Sequence, residues 1–84
     1  MPTIAIVEGV RIAIYPKDHL PPHLHAIYAE FEAQISIVTG DILEGKLPAA
    51  KVKAVTAWLR AHGPEVAFAW EEIRAHRYAG GMIG

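Results

Sequence analysis

The apolar residues of this chain change their repeat at Pro48, and that change limits the fold more than any other feature. Upstream, residues 3–7, 10–15, 24–31 and 33–38 are short runs rich in β-branched side chains, the composition of strands. Glu8-Gly9 marks a hairpin turn, Glu30, Phe31 and Glu32 lie near the second reversal, and Thr39-Gly40-Asp41 closes the last run. Ile42-Leu43 adds a short edge strand before Gly45. Downstream, Val52, Val55, Leu59 and His62 recur at helical spacing, with Pro48 suited to a first helical position and Gly63 to a C-terminal cap, which predicts a helix over about 48 to 62. Pro64 opens a second helix whose stripe is Val66, Ala69, Trp70, Ile73 and Arg77, with glutamates early and basic residues late as the helix dipole favours. Strands first and helices last give an α+β fold: an antiparallel sheet of four or five short strands followed by two helices packed on one face. No repeat, low-complexity tract or linker interrupts the order, so residues 1–84 are expected to form a single domain.

Composition removes several classes of function. With 52% hydrophobic and 20% charged residues, the chain is too apolar for disorder. It has no run of about eighteen uncharged apolar residues that would span a membrane, and MPTIAIVEG lacks the basic start of a signal peptide. The absence of cysteine excludes a disulfide framework and any thiolate ligand or nucleophile, which fits a cytoplasmic location. A net charge of −1 argues against a general nucleic-acid binder. In a chain of 84 residues the hydrophobic gain and the entropy of ordering nearly cancel, so marginal stability and help from a partner or a second copy are expected.

Unusual chemistry is concentrated in Asp18-His19-Leu20-Pro21-Pro22-His23-Leu24-His25. If Leu24 lies in a strand, His23 and His25 share a sheet face. With His19 or Asp18 folding over from the proline-stiffened loop, they can supply three or four ligands to a divalent metal such as zinc. The same imidazoles can instead act without metal as base and acid on a phosphodiester, with Arg11 or Lys17 binding the anion. Both site readings require the rings of His19, His23 and His25 to converge. The third reading is structural: loop histidines satisfying carbonyls beside prolines that donate nothing. His23 and His25 followed by Glu30 resemble half of a cupin metal motif, but the chain is too short for that barrel and Glu30 falls at the opposite alternation phase.

Elsewhere the structural readings lead. His62 and His76 suit the ends of the two helices, and Trp58 and Trp70 the core or its rim. Phe68 lies far around the second helix from Val66 and Ile73 and is exposed unless something covers it. Lys51, Lys53 and Arg60 read as a solvated basic stripe.

The opening Pro-Thr-Ile, the segment DHLPPHLHA, the stretch Leu43-Glu44-Gly45-Lys46-Leu47-Pro48 and the AWEEIRA of the second helix together resemble the bacterial family called domain of unknown function 4160, over nearly the whole chain. Leu20 stands where that family often has proline and Leu24 where it often has an aromatic, while Asp18 and all three loop histidines are retained. The resemblance carries no established activity. It implies a partner, because such proteins often sit beside another small protein, domain of unknown function 2442, in what looks like a toxin–antitoxin pair. The leading expectation is accordingly a component of such a pair, or a homo-oligomer, with Asp18, His19, His23 and His25 as the working site and RNA as a candidate substrate. A metal-binding protein or metal-dependent hydrolase built on His19, His23 and His25, and a purely structural interaction domain, are its rivals.

Overall fold

The computed structural model describes residues 3–84; Met1 and Pro2, the latter part of the Pro-Thr-Ile opening, lie outside the described residues. Five strands, β1 (Thr3–Val7), β2 (Val10–Ala13), β3 (His23–Tyr28), β4 (Phe31–Ser36) and β5 (Ile42–Lys46), precede two helices, α1 (Ala49–Ala61) and α2 (Gly63–Arg74). The strands pair antiparallel in chain order as one sheet, β1-β2-β3-β4-β5. The fold is therefore α+β, as the change of repeat at Pro48 requires.

The first hairpin turns through Glu8 and Gly9, both at positive φ (47° and 81°), which matches the twist of the strands it joins. The second turns at Ala29-Glu30, two residues earlier than the run lengths suggest, so Tyr28 faces Phe31 across the ladder. The alanine at 29, with φ of 52°, carries no turn signal in the sequence. The shift places Glu32 in the body of β4 and leaves Glu30 exposed in the turn.

Alternation divides the sheet into two faces. Val10, Ile12, Leu24, Ala26, Ala33 and Ile35 are buried in one core with Val55, Trp58, Leu59, Val66, Ala69, Trp70 and Ile73 of the helices. The register puts Arg11, Ala13, His23, His25, Glu32, Gln34, Glu44 and Lys46 on the other face. Both tryptophans are buried, and Trp58 Nε1 has no hydrogen-bond partner among the described residues. Phe68 stays 64% exposed.

The helix corner is tighter than expected. His62, not Gly63, occupies it: its backbone N–H donates to the Trp58 and Leu59 carbonyls, while Gly63 already belongs to α2 with Pro64 in its first turn. The His62 ring meets Glu65 Oε1 at 3.0 Å instead of capping the helix it ends. Arg77 falls beyond the end of α2; its guanidinium donates to Glu72 Oε2 at 2.8 Å, and that bond and charge raise its pKa further. Lys51 leaves the solvated stripe expected for it: its ammonium donates to the Glu8 carbonyl at 2.8 Å and lies 4.7 Å from the Tyr28 ring centroid, tying α1 to the sheet. The glycine-rich tail returns to β1, where the Ile83 N–H donates to the Ile4 carbonyl at 2.6 Å. No helix among the described residues is long and apolar enough to cross a membrane.

Gly45 fixes the attachment of β5. Its φ is 77°, and a Cβ there would collide with the Glu32 carbonyl oxygen. Gly45→Ala is expected to lower unfolding stability by about 2–3 kcal/mol, measured by urea denaturation; an unchanged midpoint would mean that β5 contributes little to the fold.

Candidate metal centre

The histidines of the second sheet face are covered by the segment 15–22, which leaves β2 and folds back over β3, and at His23 also by Trp70 of α2. Two reciprocal hydrogen bonds close its first turn: the Asp18 N–H donates to the Tyr15 carbonyl (3.1 Å), and the Tyr15 N–H donates to Asp18 Oδ2 (3.0 Å). Pro16, Pro21 and Pro22 restrict the rest, with a cis peptide between Leu20 and Pro21. The Tyr15 ring stands edge-on to His25, with centroids 4.5 Å apart. His23 lies between His25 (5.3 Å) and Trp70 of α2 (5.6 Å). Under this cover His23 and His25 are only 7% and 8% exposed.

Buried imidazoles need defined partners, and at His23 the partner fixes which nitrogen carries hydrogen. A carbonyl can only accept, so His23 Nδ1 donates to the Pro21 carbonyl (2.8 Å). His25 has a carboxylate at each ring nitrogen, Glu32 Oε2 at 3.1 Å from Nδ1 and Asp18 Oδ1 at 3.1 Å from Nε2, so a neutral ring donates to one of them and an imidazolium to both. Both Nε2 atoms are aimed at one oxygen: Asp18 Oδ1 lies 3.1 Å from His25 Nε2 and 3.7 Å from His23 Nε2. The three ligand atoms lie within 4.8 Å of one another. A proton on His25 Nε2 joins it to Asp18 by a hydrogen bond, and a metal ion seated among the three atoms would take that proton's place. Around tetrahedral zinc, donor atoms are about 3.3 Å apart, so small adjustments would admit the ion.

The other residues singled out in the sequence stand differently. His19 is exposed and outside the three-residue group, because the turn that aims Asp18 inward leaves its neighbour on the rim. Arg11 shares the face but its guanidinium donates to Thr3 Oγ1 at 3.2 Å. Lys17 is exposed, and among the described residues no hydrogen bond or ion pair joins either cation to Asp18, His23 or His25. Beside the group opens a cleft of about 370 Å³, with Asp18, His19 and His23 on the loop side and Gln34 and Glu44 across the sheet.

A family model described as Domain of unknown function (DUF4160) matches residues 9–71. The chain belongs to the DUF4160 family. No curated protein and no solved structure is detectably similar to it. The matched span of this DUF4160 chain contains every residue of the group and Glu32.

Glu32 and Tyr15 are contacts that the sequence reading missed. Once the turn is placed at Ala29-Glu30, His25 pairs with Gln34 and Glu32 becomes its diagonal neighbour, within reach of a long side chain. The two carboxylates on His25 differ in setting, the Asp18 side chain being 12% exposed and that of Glu32 55%. Asp18→Ala is expected to cost about 2–4 kcal/mol in urea denaturation with chelator present, since it strips a buried imidazole and the Tyr15 N–H of their acceptor. Glu32→Ala should cost about 1 kcal/mol or less. Equal losses would contradict the central place given to Asp18.

Proposed function

We propose that this chain binds one divalent transition-metal ion, zinc before others, through Asp18 Oδ1, His23 Nε2 and His25 Nε2, and acts as a metal-dependent hydrolase. The observation that carries the reading is the pair of Nδ1 anchors, Pro21 O and Glu32 Oε2, which turn both Nε2 atoms toward Asp18 Oδ1. Imidazoles that ligate a metal commonly donate their other N–H to a carbonyl or carboxylate in this way. The donor set, two nitrogens and one carboxylate oxygen, suits zinc, and three protein ligands leave a position free for water or substrate. In such a position an ion of this kind polarises a carbonyl and makes water a nucleophile near neutral pH.

The geometry favours this reading over metal-free proton transfer on RNA. That reading needs His19 beside His23 and His25 and a cation at the phosphate, whereas His19 is exposed outside the group and neither Arg11 nor Lys17 contacts it. Partnership with a domain of unknown function 2442 protein in a toxin–antitoxin-like pair draws its support from the family resemblance, and exposed Phe68 is the surface it would use.

Protein purified without a histidine tag and titrated with zinc is expected to hold about one ion per chain by elemental analysis. His23→Ala and His25→Ala should each abolish binding with circular dichroism retained, and His19→Ala should leave it unchanged. Glu32→Gln should keep the stoichiometry but weaken affinity about 10- to 100-fold. A protein that stays metal-free through the titration, or binds equally well without His23 and His25, would overturn the proposal.

A further inference from the structure

Two of the three ligands, Asp18 and His23, also form the wall of the adjoining cleft, whereas His25 does not line it. An ion held by the three would therefore meet whatever fills the cleft. His23 Nε2 makes no hydrogen bond among the described residues, although its side chain is more than nine-tenths buried. The rest of the lining sorts into two kinds. Leu20, Pro21 and Leu43 supply an apolar wall, and Leu20 and Leu43 are large side chains left 68% and 45% exposed. Gln34 and Glu44 supply a polar floor, adjacent across β4 and β5.

No lysine or arginine lines this cleft. Lys46, the nearest basic residue along β5, stands in register with Glu32. Asp18 would be spent on the ion and Glu32 already accepts from His25, but Glu44 has no ion-pair partner among the described residues. A phosphate or carboxylate would find the ion and then the repulsion of Glu44; a ligand with a neutral carbonyl and an ammonium group would offer its oxygen to the ion and its one charge to Glu44. The volume, about 370 Å³, is near the lower end for small-molecule sites and fits one or two amino-acid residues.

Resting on the metal reading, we infer that the cleft takes an amino-acid amide or the first residue of a peptide. Its carbonyl oxygen faces the ion, its α-ammonium faces Glu44, and an apolar side chain lies against Leu20 and Leu43.

Cobalt(II)-loaded protein, followed by its visible spectrum, tests the ligand class with three probes: leucine hydroxamate, acetohydroxamate and phenylphosphonate. Leucine hydroxamate is expected to shift the spectrum at about tenfold lower concentration than acetohydroxamate, a difference of about 1.4 kcal/mol, and phenylphosphonate to bind weakest. Glu44→Gln and Leu43→Ser should each erase most of that preference while leaving cobalt uptake unchanged. Normal cobalt uptake without a preference for leucine hydroxamate, or with phenylphosphonate binding best, would overturn the ligand class and leave the metal reading standing. Failure to take up cobalt at all would remove the metal reading and this inference with it.

Discussion

The Asp18 carboxylate is the contact on which the polar half of the molecule depends. One of its oxygens accepts the Tyr15 N–H and so closes the loop; the other faces both buried imidazoles. Without it the segment 15–22 would lose one of the two bonds that close its turn and its contact with His25, and would be left with the Pro21 carbonyl on His23 and the Tyr15 ring against His25. A hydrogen bond to a charged acceptor is worth more than a neutral one, and a buried imidazole deprived of its partner pays the full cost of lost hydration. The loop is thus held on the sheet by polar contacts, since Lys17, His19 and Leu20 along it are exposed.

That arrangement follows from how the sheet is covered. The helices take the face bearing Ile12, Leu24 and Ile35, only Trp70 of α2 reaching His23 on the other face, for which the described residues supply no further helix or strand. A five-stranded sheet with one face in water is ordinary for antiparallel strands. Here the loop covers the His23 and His25 end, while Glu44 and Lys46 remain exposed on β5. The two edges differ as well. The tail lies against β1 through Ile83, whereas β5 has every residue exposed and is shaped by the left-handed Gly45 that brings it close to Glu32.

Much of this was legible in the residues, and what was not has identifiable causes. The order of strands and helices followed from the change of repeat at Pro48, and the common face of His23 and His25 from their spacing of two. The second turn was misplaced because Ala29 adopts a positive φ without being glycine or asparagine. That single error hid Glu32, since a two-residue shift decides which side chain lies diagonal to His25. Grouping His19 with the other two histidines rested on sequence proximity, but in an irregular loop proximity does not fix direction. There the reciprocal bonds of Tyr15 and Asp18 decide which residue points inward.

What joins Asp18 to the imidazoles also bears on folding. If it is a proton alone, His25 links Asp18 and Glu32 in a buried polar network whose desolvation offsets much of its attraction. In a short domain near the limit of what one core can stabilise, an apolar replacement would serve packing as well. If it is a metal ion, the cost of gathering two imidazoles and a carboxylate is set against ligand bonds that exist only in the folded state, so binding adds directly to stability. His23 is where the proposed ion would matter most. The Pro21 carbonyl, a neutral acceptor, sets its ring, and the 3.7 Å between its Nε2 and Asp18 Oδ1 is longer than a hydrogen bond, a gap that the proposed ion would span.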